Sequence, residues 1–311
     1  MFTDPAVDEL WHAGRFREAY EASAAPDDAL NDMPFRDRHD TLARSQLWHE
    51  HGLVAWYAGR YRESEAALAR ALEMRRNALG ESHADTLASQ FRHAAAVGVL
   101  DRRGVPLFER AIDALGRAFG SESVEVALAR RDFSVCLREF GDLPRARALI
   151  DQARPVIEQG LELDHPAAIL ALIADAQLAE LERDDARASH LAQRAVGLGT
   201  IAWGAAHPFV ATAELVLAVS ELRRGDAAAA RKRLPDICDN LEDGYGEHPE
   251  LARALWCRAA CAVALKRGLR GAERDILRVV AIYRATGLEE RATQAMDAVV
   301  AIRWRMNKRE P

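Results

Sequence analysis

The chain has 311 residues, of which 49% are hydrophobic but only 6% aromatic and 29% charged, with a net charge of −6. Alanine and leucine supply most of the apolar content, which favours helices packed through small side chains over sheets of β-branched and aromatic residues. The acidic balance argues against a nucleic-acid partner and no apolar run reaches the ~18–20 residues of a membrane span; the four scattered cysteines, Cys136, Cys238, Cys257 and Cys261, are too few for a disulfide framework and suit a reducing cytoplasm.

In chain order, Asp4-Pro5 reads as an N-cap followed by proline at the first helical position. The N-terminus lacks the basic region and apolar core of a secretory signal. Gly14 to Ala19 opens a second helix, and residues 24–34, rich in Pro, Asp and Asn, read as a loop. Residues 40–58 form a helix with Trp48, Gly52 and Ala55 on one face. Gly59 turns the chain, and residues 62–79 form a partner helix in which Ser64, Leu68, Ala71 and Leu72 recur at helical spacing.

From there the pattern returns. Gly59, the Asp101 region, Gly141, Asp184, Gly225 and Gly268 mark inter-helix turns at steps of 42, 40, 43, 41 and 43 residues. Exits of the second helices carry His83, His165, His207 and His248 at steps of 82, 42 and 41, with Gly120 to Ser123 in the missing place. Two landmarks drifting in step predict tandem helix hairpins over 4–34, 40–82, 84–122, 124–164, 167–206, 209–247 and 249–287. Small residues at Gly52, Ser134, Ala176, Ala218 and Ala260 mark the close approach of paired helices, beside Trp48, Leu68, Ile150 and Leu234. Pro144 suits a first helical turn, and Pro166, Pro208 and Pro249 open the next first helix. Pro155 and Pro235 are expected to kink or shorten second helices. Residues 288–311 read as a C-terminal capping helix and tail, its apolar face built from Ala292, Ala295, Met296, Val299, Val300 and Ile302.

Trp48, Gly52, Gly59, Tyr61, Leu68 and Ala71 follow the tetratricopeptide spacing. The longer period, with Ala-Leu-Gly-Glu-Ser-His at 78–83, Trp-Gly-Ala-Ala-His-Pro at 203–208 and Tyr-Gly-Glu-His-Pro at 245–249, resembles the kinesin-light-chain type of that repeat. The resemblance implies an all-α, right-handed α-solenoid of about seven hairpins that docks a protein or peptide on a concave face lined by the first helices. Projected onto this chain, the concave residues are His49, Leu53, Trp56 and Tyr57, then Gln90 and His93, then Arg131, Asp132, Arg138 and Glu139, then Gln177 and Glu180, then Val219 and Arg223. Trp56 and Tyr57 are either binding anchors or packing between neighbouring first helices and against 24–34. The Arg131/Asp132 and Arg138/Glu139 pairs either meet a partner or form ion pairs within the wall.

Catalytic chemistry is not legible. Equivalent histidines stand a repeat step of ~10 Å apart, whereas zinc holds its ligand atoms at ~2.0–2.1 Å, so a turn or capping role is assigned. Cys257 and Cys261 stand at i, i+4 without a second ligand pair, and His49-Glu50-His51 lacks the i, i+4 histidines of a metalloprotease helix. There is no phosphate-binding glycine loop and no nucleophile elbow. The expectation is a non-catalytic, cytoplasmic scaffold or regulator that binds protein or peptide, without cofactor or metal and without nucleic-acid or membrane partners. The alternatives are a peptide-sensing regulator acting on a separate protein, and an enzyme or enzyme subunit using groove histidines. An Ala- and Arg-rich, Lys-poor composition suits a bacterial source.

Overall fold

A computed structural model describes residues 2–23 and 38–307; the expected loop at 24–34 and the basic end of the tail at Lys308 and Arg309 lie outside these residues. Among the described residues there are fifteen helices and no strand. They are α1 Pro5–His12, α2 Phe16–Ala22, α3 Arg38–Tyr57, α4 Tyr61–Leu79, α5 Ala84–Leu100, α6 Gly104–Phe119, α7 Val124–Glu139 and α8 Leu143–Gly160. Then come α9 Pro166–Leu181, α10 Asp185–Trp203, α11 Pro208–Arg223, α12 Ala227–Tyr245, α13 Pro249–Ala264, α14 Leu269–Ala285 and α15 Glu289–Asn307. None of them is long and apolar enough to cross a membrane.

The chain divides into two compact units, Met1–Ala174 and Asp175–Pro311, the division falling within α9. In the first unit consecutive helices from α3 to α8 pack in chain order, and the first helices of successive hairpins also touch, α3 with α5 and α5 with α7. The second unit repeats the arrangement from α10 to α15, with α11 against α13.

Local chemistry sets these elements. Asp4 caps α1, its carboxylate accepting the Ala6 N–H at 2.8 Å. Asp142, Asp184 and Asp226 cap second helices in the same way, accepting the N–H groups of Arg145, Arg187 and Ala229 at 3.4, 3.0 and 2.9 Å. Two residues beyond a first helix the chain enters the left-handed region, at Gly59 (φ 75°), Gly141 (φ 76°) and Gly225 (φ 89°). The same place is held by Arg183 (φ 63°) and Lys266 (φ 53°), not by Asp184 and Gly268, so this landmark advances by 82, 42, 42 and 41. A search for glycine slides by a residue or two where a longer side chain accepts the strain.

Paired helices meet at small residues. A Cβ on Gly52 would lie 2.5 Å from Leu68 Cγ, and the Ser64 hydroxyl donates to the Gly52 carbonyl at 2.7 Å. Ser134, Ala176 and Ala218 are buried at the equivalent places. In α13 the buried residue is Ala259 rather than Ala260, because His248, which caps α13, follows the α11 cap His207 by 41 residues. The third hairpin is tighter: Gly104 follows the cap His83 by 21 residues, whereas Ala146 follows the cap Ser123 by 23. Its helices therefore close on each other at glycines, and a Cβ on Gly104 would lie 2.3 Å from Gly98 Cα.

Two expectations need correction. Helices α8 and α12 run uninterrupted through Pro155 and Pro235. Both prolines are exposed, so the carbonyl each leaves without an N–H can turn to water. In α15 the buried stripe is Ala292, Ala295, Val299 and Ile302, while Val300 is 63% exposed and points away from the core.

Candidate functional site

The recurrent histidines are helix caps. Nδ1 of His83, His165, His207 and His248 accepts the backbone N–H two residues on, at 3.2, 3.1, 3.2 and 3.1 Å. This requires a neutral ring with its proton on Nε2. Trp203 stacks on His207 at 4.7 Å and Tyr245 on His248 at 4.5 Å, centroid to centroid. Burial pushes the pKa of each of these two imidazoles down to about 4.

The face formed by α3, α5 and α7 carries a small pocket. Leu53, Trp56 and Tyr57 of α3, Arg92 and Ala95 of α5, Asp132 of α7 and Leu68 of α4 enclose about 40 Å³. A single water needs ~10–15 Å³ by this measure, so the space admits one small side-chain group rather than a length of peptide. Walls of indole, phenol and aliphatic carbon give way to one charged edge. Arg92 pairs with Asp132 at 3.2 Å, and Asp132 also accepts from Arg131 Nε at 2.7 Å. Arg131 further donates to the Ala167 carbonyl at 3.4 Å.

Trp56 and Tyr57 of α3 divide the work. Trp56 walls the pocket, and its buried indole N–H meets no acceptor among the described residues. Tyr57 also packs under the N-terminal helices, 4.6 Å from Trp11 and 5.0 Å from Phe16, and burial raises its phenol pKa.

Other residues projected onto this face lie elsewhere. His49 sits in a polar seam between α3, α4 and α5, its Nδ1 3.0 Å from Ser89 Oγ, which also accepts from Arg75 at 2.9 Å. Burial, with Arg75 and Arg92 nearby, takes its pKa down to about 3. Gln90 faces α6. His93 stands near Glu65 and Arg76 of α4, and burial lowers its pKa. The places expected for Gln90 and His93 belong to Arg92 and Ala95. Counting from the caps would have found them, since Arg92 lies nine residues past His83 and Asp132 nine past Ser123. The turn landmarks agree, since Arg92 stands nine residues before Asp101 and Asp132 nine before Gly141. Arg138 and Glu139 pair with each other at 2.6 Å.

In the second unit Gln177 and Glu180 are buried and engaged two hairpins ahead. Gln177 donates to Glu250 at 3.3 Å, Arg253 pairs with Glu180 at 3.0 Å, and Arg253 also reaches Glu250 at 2.8 Å. Arg223 donates to the Glu180 carbonyl and pairs with Asp185 at 3.2 Å. Val219 is half-buried.

Tandem helix hairpins with recurrent caps, left-handed turns and small crossing residues define a tetratricopeptide-type repeat fold, all-α throughout the described residues. Among solved structures, a Rap protein complexed with competence and sporulation factor is similar to this chain at TM-score 0.62 and 13% identity, over 97% of this chain and 74% of that one. The apo form of RapI matches at TM-score 0.47 and 13% identity over 97% of each chain. A putative kinesin light chain of nearly identical TPR-like repeats from Podosopora anserina matches at TM-score 0.48 and 19% identity, over 65% of this chain and 96% of that one. No family model and no curated protein matches the sequence.

Proposed function

We propose that the chain is a non-catalytic scaffold or regulator that holds a protein or peptide on the face formed by its first helices, with one anchoring group in the Trp56 pocket. The observation that carries this reading is the pocket itself: an apolar recess between successive first helices, edged by the Arg92–Asp132 pair. A small recess with an aromatic wall is the kind of feature in which binding energy concentrates, and the ion pair at its edge selects the polarity of what lies beside it. Leu53, Trp56, Tyr57, Arg92 and Asp132 would carry the contact. His49, His93 and Gln177 are engaged in packing, Gln90 faces α6 away from the pocket, and Arg131, Arg138 and Glu139 shape the wall. A second reading, a sensing regulator that acts on a separate protein, is favoured by the likeness to a Rap protein solved with a bound factor.

The test is affinity capture with the full chain and two variants, Trp56→Ala and Leu53→Asp. The expected outcome is that a partner recovered with the parent chain is lost or weakened at least about ten-fold with either variant, at unchanged helical circular dichroism. That loss is ~1.4 kcal/mol, within the usual range for an aromatic anchor. Equal recovery by all three would refute the assignment.

A further inference from the structure

The final helix of the second unit leaves one face open. In that unit the first helices α11 and α13 each pack against the second helix that follows, α12 and α14. α15 stands at the place of a first helix and packs back on α14, with no helix after it among the described residues. Its stripe Ala292, Ala295, Val299 and Ile302 is buried. Away from that stripe, Asp297, Val300, Ala301 and Trp304 recur at i, i+3, i+4 and i+7 and are all exposed. Val300 is 63% and Trp304 58% exposed, so a valine and an indole stand next to each other in solvent.

Charge is ordered along this face. Glu290 and Asp297 precede the apolar patch, and Arg305 follows it. Among the described residues the side chains of Glu290, Asp297 and Arg305 make no ion pair and no hydrogen bond. Arg303, at the side of the patch, is by contrast paired with Glu273 of α14 at 2.6 Å. The helix dipole favours an acid in the first turn, which accounts for Glu290. Asp297 lies about two turns into α15, beyond that reach.

We propose that this face docks on the same face of a second copy of the chain, the two α15 helices lying antiparallel about a two-fold axis at Val300 and Ala301. That axis brings Asp297 of each copy against Trp304 and Arg305 of the other, and it covers both indoles. A parallel pairing would set Asp297 against Asp297. The order acidic, apolar, basic is thus self-complementary when one copy is reversed, and a two-fold closes the contact at two copies. One helix from each copy makes a small interface, so the dimer is weak and forms at high concentration.

Sedimentation equilibrium of the full chain over a wide range of loading concentration tests this. The parent is expected to pass from monomer to dimer as concentration rises. Val300→Asp and Trp304→Ala each weaken the dimer about ten-fold or more. Asp297→Arg and Arg305→Asp each set two like-charge pairs across the axis and weaken it about five-fold, and the double exchange restores it. Helical circular dichroism is unchanged throughout, since all four side chains are exposed. A parent that stays monomeric at every concentration, a dimer untouched by Val300→Asp and Trp304→Ala, or a double exchange that fails to restore association would each overturn the proposal. A monomeric parent that co-sediments with phosphatidylglycerol vesicles, and loses this with Trp304→Ala, would give the face to an anionic lipid surface and overturn it as well.

Discussion

Replacing His207 and His248 with asparagine should remove much of the acid sensitivity of the second unit. Both imidazoles cap helices through Nδ1, lie stacked on an aromatic ring, and are 5% and 8% exposed. Their folded-state pKa of about 4 lies below the ordinary value of 6.5. Between these two values the unfolded chain takes up protons that the folded chain does not, so stability rises with pH and is lost as pH falls from 6.5 towards 4. At ~1.4 kcal/mol per unit, each histidine costs about 2 kcal/mol by pH 5, and the pair about 4 kcal/mol. Asparagine is a strong N-cap that does not titrate. The double variant should lie within about 1 kcal/mol of the parent at pH 7 and lose about 4 kcal/mol less between pH 7 and pH 5. Urea unfolding followed by circular dichroism at pH 7, 6 and 5 measures this directly. Identical pH dependence in parent and variant would show that the buried caps do not govern acid unfolding.

Other substitutions test the backbone geometry. Gly104→Ala places a Cβ 2.3 Å from Gly98 Cα, a backbone clash that no rotamer relieves; it should cost about 3 kcal/mol and lower the thermal midpoint. Arg183→Gly should act in the opposite sense. The exposed Arg183 holds φ 63°, and removing its Cβ relieves ~1–2 kcal/mol of left-handed strain against ~0.5–1 kcal/mol of added chain entropy, so a net gain of up to about 1.5 kcal/mol should appear in the urea midpoint.

The architecture was legible because it is written twice, in turn and cap residues that recur with one period. What the period concealed was register. In the third hairpin the face falls on Arg92 and Ala95, not on Gln90 and His93, a difference of two residues that decides which side chains line the pocket. Arginine and lysine at left-handed positions similarly hid Arg183 and Lys266 from a search for glycine. The burial of His49 was also beyond the sequence pattern, since its partner Ser89 and the Arg75 that donates to that serine come from two other helices. Leu53, Trp56 and Tyr57 were placed together because they share one helix that ends at a recognisable glycine. The enclosure of Gln177 depends on Glu250, some seventy residues on, a distance over which no local pattern speaks.

That long-range engagement has a mechanical consequence. Springs made of stacked hairpins flex by letting neighbouring first helices slide and separate. In the second unit, Glu180–Arg253 and Gln177–Glu250 stitch the C-terminal end of α9 to the N-terminal end of α13 across the intervening hairpin. Extension there must break these stitches before it can stretch the packing, so bending stiffness in that segment is held by side-chain charge as well as by apolar contact.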